Sequence, residues 1–245
     1  MDNNVRRIGV LAPPGNTAME RELPRHVPDD IVINHNRMSR PGTAITKESL
    51  LAMINSLDRA AHDLAQAYPE VIVYGCTSGS FLAGPGKEDE LGTRIQEITG
   101  IPGVTTSTAV IRALKALKAG KVYMITPYPD DVNVEEIAFL THRDIEVGGW
   151  DAFRCPTSEA IRKLSSEQVA ELARSHHDEI RKCDALFLSC TNMLSMDQIE
   201  PLEAELGVPV LSSNHATLWA ALDHMKVDKR GLGGGTLYER SSAAA

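Results

Sequence analysis

The chain has 245 residues, of which 42% are hydrophobic and 24% charged, and this composition is ordinary for a globular protein of one or two domains. With a formal net charge of −8, we expect neither nucleic acid nor an anionic membrane as a partner, because both favour a basic surface. The four cysteines show no zinc-ligand spacing, and no signal peptide or membrane-length apolar run is evident. These features predict a cytoplasmic protein with reduced thiols and no bound metal.

Short apolar or β-branched runs alternate with helical patterns along the chain. The predicted strands are, in chain order, 8–12, 31–33, 71–74, a short one at 104, 122–125, 185–188 and 210–211. Apolar residues at helical spacing predict helices over 17–23, 47–67 and 165–181. The alternation of strand and helix predicts βαβ units and a largely parallel sheet.

Three sequence patterns occur twice, in the same order. They are a strand followed by a loop with proline and asparagine, a strand followed by Cys-Thr, and a Gly-x-Pro turn before a strand. The pairs are RIGVLAPPGN with KVYMITPYPDDVN, VIVYGCT with ALFLSCT, and GIPGVTTSTAV with GVPVLSSNHAT. The repetition predicts an α/β fold of two pseudo-symmetric, Rossmann-like halves, each a mostly parallel sheet flanked by helices.

We place the first half at residues 1–112 and the second at 113–211. The segment 212–240 is expected to pack back on the first half, and 241–245 is a tail. In parallel sheets, ligands bind at the carboxyl ends of the strands, and the repeated polar residues all follow predicted strands. We therefore expect an active site in the cleft between the halves.

Cys76 and Cys190 are expected on opposite walls of this cleft. Each follows an apolar strand, and a helix beginning there would favour a thiolate through its dipole and free N–H groups. One thiolate can attack an electron-poor carbon or abstract a proton, while a thiol on the other side donates one. Such a pair can isomerise a carbon centre without a metal or an organic cofactor. The alternative for either cysteine is a small buried hydrophobic residue.

The residues next to the cysteines are suited to an anion. Hydroxyl and amide groups follow both of them, and an amide and a phenol occupy the matching loops of the two halves. These residues are Asn16, Thr77, Ser78, Tyr128, Thr191 and Asn192. Such donors predict a small carboxylate or dicarboxylate as substrate. Asn16 could also cap the helix that follows it, and Tyr128 could simply pack in its proline-flanked turn.

The motifs PPGNTAME, GCTSGSF, STAV, PYPDDVN and SCTN together resemble the aspartate/glutamate racemase superfamily. Within it, the chain is most similar to the branch of maleate cis–trans isomerases and arylmalonate decarboxylases. The resemblance implies that Asn16, with Pro14 beside it, binds a substrate carboxylate. It further implies that Thr77, Ser78 and Tyr128 form an oxyanion pocket, and that the members form homo-oligomers.

Two positions depart from one or the other group of this branch. The decarboxylases have glycine where this chain has Cys76, whereas the isomerases have a further asparagine where it has Ser158. The resemblance therefore implies a cofactor-independent isomerase or racemase of a carboxylic acid, with Cys76 as thiolate and Cys190 as acid. The alternatives are a decarboxylase of an arylmalonate type that uses Cys190 as proton donor, and a non-catalytic sensor that binds a carboxylate.

Overall fold

Two parallel four-stranded sheets, each flanked by helices, form the computed structural model, which describes residues 5–82, 84 and 86–240. The strands are β1 (Arg6–Ala12), β2 (Ile31–Arg37), β3 (Val71–Tyr74), β4 (Gly103–Thr105), β5 (Lys121–Thr126), β6 (Glu146–Ala152), β7 (Ala185–Leu188) and β8 (Val210–Ser212). Their order is β2-β1-β3-β4 in one sheet and β6-β5-β7-β8 in the other, and every pairing is parallel. The second sheet thus repeats the first, which confirms the predicted α/β class with two pseudo-symmetric halves.

Helices connect the strands and cover the sheets. The α-helices are α1 (Ala18–Glu22), α2 (Lys47–Leu51), α3 (Leu57–Ala65), α4 (Thr77–Phe81), α5 (Glu90–Thr99), α6 (Thr106–Leu117), α7 (Asp130–His142), α8 (Ser158–Arg162), α9 (Ser166–Ser175), α10 (His177–Ile180), α11 (Ile199–Leu206), α12 (Ser213–His224) and α13 (Gly235–Arg240). Short 3-10 segments span Leu23–Arg25, Ala52–Ser56 and Met196–Gln198. None of the described helices is both long enough and apolar enough to cross a membrane.

The central strands of both sheets are apolar because they are covered on both faces. All four residues of β3 and all four of β7 are buried. Parallel sheets with helices on both sides bury their strands in this way, so their sequences read as continuous apolar runs. The predicted bounds of these two strands agree with the structure for that reason.

Strand β6 is absent from the sequence prediction. It pairs with β5 at the edge of the second sheet and has the sequence EVGGWDA, whose two glycines are typical of loops. A Cβ at Gly149 would lie 2.7 Å from the Tyr123 ring, and a Cβ at Gly148 would lie 2.4 Å from the Lys121 side chain. These glycines allow neighbouring side chains to cross the strand closely, which the local pattern does not reveal.

Two predicted helices are wrong in length because each is interrupted. The helix predicted over 47–67 is divided by the 3-10 segment Ala52–Ser56, where the Ser56 hydroxyl donates a 2.9 Å hydrogen bond to the Met53 carbonyl. The helix predicted over 165–181 breaks at His176. The His176 ring is partly buried there and stacks on Tyr123. Side-chain contacts therefore override helical periodicity in both places.

Helices α6 and α12 pack against each other between the sheets, and α12 also contacts β3 and β4 of the first sheet. The two helices occupy corresponding positions after β4 and β8, and each begins with a hydroxyl cap, from Thr105 and Ser212 respectively. A 3.0 Å hydrogen bond from the Thr217 hydroxyl to Thr106 Oγ1 joins them.

The division of the chain at residues 112 and 211 stays a prediction, and the predicted tail 241–245 lies outside the described residues.

Candidate active site

The carboxyl ends of β3 and β7 meet at one partly open cavity. Cys76 comes from the first sheet and Cys190 from the second, so the two halves each supply one thiol to the same space. The lining residues are Pro13, Asn16, Arg40, Ile45, Leu50, Cys76, Ser78, Tyr128, Ser158, Ile161, Cys190, Thr191 and Asn192. The cavity lies where the parallel sheets place ligand sites, at the carboxyl ends of their strands.

Cys76 caps helix α4. Its backbone is extended, with φ at −146°, and its sulfur accepts a 3.3 Å hydrogen bond from the Gly79 N–H. Ser78 Oγ lies 3.9 Å from the same sulfur. Donors of this kind at a strand end stabilise negative charge on sulfur, which is the arrangement that the sequence predicts for a reactive thiolate.

Cys190 has a different backbone. Its φ of +136° lies in a region that non-glycine residues rarely adopt, and such strain costs on the order of 1–3 kcal/mol. The expectation that a helix follows this cysteine is wrong, because residues 191–195 form a turn and bend, followed by the 3-10 segment Met196–Gln198. The donor to the sulfur is instead the turn N–H of Asn192, at 3.3 Å. The unusual backbone turns the Cys190 side chain toward the cavity.

The two thiols differ in acidity. Burial raises the pKa of Cys76 above its usual value, but the Gly79 N–H, the Ser78 hydroxyl and the Arg40 charge oppose that rise. Burial raises the pKa of Cys190 to about 12, although Tyr128 and the Asn192 N–H both hydrogen bond to its sulfur. A Cys76 thiolate raises the pKa of Cys190 further, because like charges repel. Cys76 is therefore the thiol that ionises more readily, and Cys190 stays protonated.

Asn16, Thr191 and Asn192 line the cavity and hold the two halves together. Asn16 Nδ2 donates to Thr191 Oγ1 at 3.0 Å, and Asn16 Oδ1 accepts from the Met19 N–H at 3.2 Å. The capping role considered for Asn16 is thus present alongside its position in the cavity. Asn192 Oδ1 accepts from the Thr17 N–H at 3.0 Å. These side chains are oriented by buried hydrogen bonds, which favours a rigid polar wall.

Tyr128, Ser78 and Ser158 also line the cavity, as the sequence predicts. Burial raises the pKa of the Tyr128 hydroxyl well above its usual value, so this group is a neutral hydrogen-bond donor. Ser158 is the first residue of α8, and its hydroxyl accepts a 2.6 Å hydrogen bond from Arg40 Nη2. Its backbone N–H donates to the Thr43 carbonyl at 3.0 Å, which joins the loops that follow β2 and β6.

Two predicted site residues do not line this cavity. Pro14 lies instead on a neighbouring outer cavity, with Gly15, Arg40 and Ser158. Thr77 is buried, and its hydroxyl donates to Ser213 Oγ at 2.9 Å. Ser213 Oγ also accepts from the Cys190 N–H at 3.0 Å. Thr77 therefore supports the position of Cys190 through Ser213, a residue that the sequence reasoning did not single out.

Sequence reasoning also missed Arg40 and an aliphatic wall formed by Ile45, Leu50 and Ile161. Arg40 and Ile45 lie between β2 and α2, and Ile161 lies in α8. The loop that follows β2 corresponds to the one that follows β6, since these strands are equivalent in the two sheets. The repetition of the two halves could have indicated that the loops after β2 and β6 both reach the site. Because β6 was not predicted, the equivalence of these two loops was not recognised.

Cys155 and Cys183 are buried outside the cavity lining, and the four cysteines are free thiols. Within the part of the chain that the structure describes, no group of three or more His, Cys, Asp or Glu side chains could hold a metal ion. The cavity lining itself offers two thiols and the hydrogen-bond donors around them.

The sequence profile of the arylmalonate decarboxylase family matches residues 8–238. The chain belongs to the arylmalonate decarboxylase family. Arylmalonate decarboxylase of Bordetella bronchiseptica is 32% identical over 88% of each chain. Maleate isomerase of Nocardia farcinica is 29% identical over 98% of each chain. This family membership, together with the isomerase relative, supports the resemblance stated from the sequence.

A solved structure from this group bears on the cysteines. It is a cysteine-to-serine mutant of the Nocardia farcinica maleate cis–trans isomerase with a covalently bound succinylcysteine intermediate. It is 28% identical to this chain, covers 95% of this chain and 98% of its own, and superposes with a TM-score of 0.89. A relative with the same fold has thus been captured with a covalently bound succinylcysteine.

Proposed function

We propose that this protein is a cofactor-independent isomerase of a small carboxylic acid, in which Cys76 is the nucleophile or base and Cys190 the general acid. The observation that carries the proposal is that two thiols, supplied by equivalent strands of the two halves, line one cavity. Two groups on one cavity allow one to attack or take a proton while the other gives one. Maleate, the substrate named for the isomerase relatives, is the first candidate.

With maleate, the Cys76 thiolate would form a bond to one olefinic carbon, and the π-electron pair would move to the neighbouring carbon. The adjoining carboxylate delocalises that charge as an enediolate, and Cys190 donates its proton to the carbon. Rotation about the resulting single bond brings the carboxylates to opposite sides. Return of the proton to Cys190 and departure of Cys76 as thiolate then give fumarate, so atoms and electrons balance.

The different acidities of the thiols support this division of roles. Cys190, with a pKa raised to about 12 by burial, retains its proton at neutral pH and can donate it. Cys76 has three groups opposing the effect of burial, one of them the Arg40 cation, and so forms the thiolate more readily. A nucleophile must be ionised and an acid protonated for the reaction to proceed.

A substrate carboxylate would be bound by the hydrogen-bond donors on the polar wall, which include Asn16, Ser78 and Tyr128. Donors held in place before the reaction stabilise a developing enediolate without reorganisation, and each contributes about 3 kcal/mol in well-studied sites. The aliphatic wall of Ile45, Leu50 and Ile161 would pack against the carbon skeleton.

A decarboxylase is the second candidate, favoured by the family profile and by the aliphatic wall, which could hold an apolar substituent of a malonate. In that reaction Cys190 would protonate the carbanion left by loss of CO₂, and Cys76 would have no required role. A racemase, the other form of the isomerase proposal, would exchange a proton at a saturated α-carbon.

Assembly as a homo-oligomer stays a prediction.

Incubation with maleate, followed by proton NMR, tests the first candidate. We expect fumarate to accumulate with the unmodified protein, and Cys76→Ser and Cys190→Ser each to reduce the rate by at least about 1,000-fold. Cys183→Ser is the matched control, since this thiol is also buried but lies outside the cavity, and it should retain the wild-type rate. Cys190→Ser should trap a succinyl adduct on Cys76, detected by mass spectrometry.

The two-thiol mechanism would be wrong if either active-site variant kept wild-type turnover. Release of CO₂ from an arylmalonate, without conversion of maleate, would identify the second candidate instead. Deuterium exchange in D₂O at the α-carbon of a saturated acid, without CO₂ release, would identify a racemase.

A further inference from the structure

Arg40 separates the active-site cavity from an outer cavity. It lies in the loop between β2 and α2, and with Ser158 it lines both the inner cavity and an outer, partly open one. The outer cavity is also lined by Pro14, Gly15 and Arg162. A molecule that spans the opening between the two spaces would therefore contact the Arg40 guanidinium.

The hydrogen bonds of Arg40 leave its charge unmatched. Nη2 donates to Ser158 Oγ at 2.6 Å and to the Thr43 carbonyl at 3.2 Å, and both acceptors are neutral. Nε is buried and has no hydrogen-bond partner in the described part of the chain. A buried N–H without an acceptor costs about 1–3 kcal/mol, so the structure carries a donor that is suited to a ligand.

Several other partly buried arginines of this chain are paired with carboxylates. Arg37 pairs with Glu20, and Arg143 pairs with the buried Glu88. For Arg40, the described residues provide no carboxylate within ion-pair distance, although the chain has 33 acidic residues. Arg40 lines the same cavity as Cys76 and Cys190. Burial lowers the pKa of the Arg40 guanidinium, and negative charge on either sulfur opposes that effect.

We propose that Arg40 binds a carboxylate of the substrate that the polar wall does not bind, so that the site prefers short dicarboxylates to monocarboxylates. This inference rests on the proposed function and specifies its substrate class. The planar guanidinium presents parallel N–H groups that match the two oxygens of a carboxylate. The first carboxylate lies on the polar wall at Asn16, the carbons lie between the sulfurs, and the second carboxylate accepts hydrogen bonds from Arg40, whose Nε–H has no partner among the described residues.

Ser158 completes this second subsite. Its hydroxyl now accepts from Nη2, and a carboxylate on Arg40 would receive the Ser158 hydroxyl as an additional donor once the serine rotates. The close packing of the loop at Gly15 keeps Ser158 in position, because a Cβ at Gly15 would lie only 3.1 Å from Ser158 Cβ. The subsite is therefore built from two loops, one from each half of the molecule.

A pair of substrates that differ in one charge tests the proposal. Maleate and its monoamide have the same size, but the monoamide lacks one carboxylate. Arg40→Gln should lower kcat/KM for both substrates, because loss of the cation raises the pKa of Cys76, and should lower it by about 30-fold more for maleate than for the monoamide, with the additional loss in KM. Arg40→Lys keeps the charge but not the planar fork. Its kcat/KM for maleate should lie between the values of the wild type and of Arg40→Gln. Arg162→Gln, which removes an exposed charge from the outer cavity, is the matched control and should leave both values unchanged.

Calorimetric titration with succinate, a saturated dicarboxylate, separates this inference from the proposed function. We expect succinate to bind the unmodified protein. The monoamide of succinate should bind the unmodified protein about 100-fold more weakly, and succinate should bind the Arg40→Gln variant about 100-fold more weakly. If Arg40→Gln lost the same factor in kcat/KM for maleate and for its monoamide, or bound succinate as tightly as the wild type, the role of Arg40 would be overturned. The isomerase proposal would remain in place. Arg40-dependent succinate binding without turnover of maleate would overturn the isomerase and retain the subsite. Absence of succinate binding to the wild type would overturn the subsite.

Discussion

Asn16 and Thr191, which are 175 residues apart in the chain, are joined by a 3.0 Å hydrogen bond between Nδ2 and Oγ1 at the cavity wall. The same Thr191 hydroxyl donates to the Gly75 carbonyl at 3.0 Å, immediately before Cys76. One hydroxyl of the second half therefore positions both the loop after β1 and the end of β3. The relative placement of the two thiols depends on this contact between the halves.

Replacing Thr191 with valine should show that dependence. The substitution keeps the shape but removes the hydroxyl, which leaves Asn16 Nδ2 and the Gly75 carbonyl without their buried partner. We expect a loss of about 1–3 kcal/mol in the free energy of unfolding, measured by urea denaturation. Thr141→Val, on the exposed face of α7, should change it by less than about 0.5 kcal/mol. Equal effects of the two substitutions would contradict the proposed bridge.

The thiols should differ in their rates of alkylation. Cys76, the more readily ionised of the two, should react with iodoacetamide faster than Cys190 at pH 8, and its rate should rise with pH beyond the pKa of about 8.5 of a free cysteine. Mass spectrometry of the digested protein identifies the modified residue. Arg40→Gln should slow the reaction of Cys76, because loss of the cation raises the thiol pKa. Faster modification of Cys190 would reverse the assigned roles.

Gly79 should tolerate no side chain. A Cβ at this position would lie 2.8 Å from Tyr74 Oη and 3.0 Å from Cys76 Sγ, so alanine must displace the sulfur from its N–H donor. We expect Gly79→Ala to lower kcat by about tenfold or more, although alanine favours a helix by about 1 kcal/mol. Gly120→Ala is the control, because its Cβ would meet its nearest atom at 3.7 Å. Wild-type kcat in Gly79→Ala would show that the position of Cys76 is not restricted in this way.

Glu136 should make stability depend on pH. Its buried carboxyl accepts a hydrogen bond from Ser189, the residue before Cys190, and burial raises its pKa to about 8. Between the ordinary carboxyl pKa and 8, the folded state holds a proton that the unfolded state has lost, so stability falls as pH rises. We expect the wild type to lose on the order of 2–4 kcal/mol between pH 5 and 8 relative to Glu136→Gln.

Urea denaturation at several pH values measures this difference, with Glu135→Gln as the control, since Glu135 is half-exposed and pairs with Lys47 at the surface. The control should follow the wild-type profile. A Glu136→Gln profile parallel to that of the wild type would mean that this carboxyl is ionised in the folded protein at neutral pH.

The central strands and the cysteines could be predicted because their signals are local. Strands β3 and β7 are apolar at every position and end in Cys-Thr, so burial and the strand end are both present in the sequence. The repetition of these signals indicated the two halves. The glycines of β6 and the break at His176 could not be predicted, since they follow from contacts with Lys121 and Tyr123, which lie more than twenty residues away.

By itself, the sequence determined that two related α/β halves each end a buried strand in a cysteine, because burial on both faces of a parallel strand leaves a continuous apolar run. Only the tertiary structure decided that the cysteines differ in acidity, that Thr77 faces Ser213 and that Arg40 borders the cavity without a carboxylate partner among the described residues. The reason is physical: desolvation and hydrogen-bond pairing depend on which distant loops meet, and an arginine of the site has the same local pattern as one exposed to water.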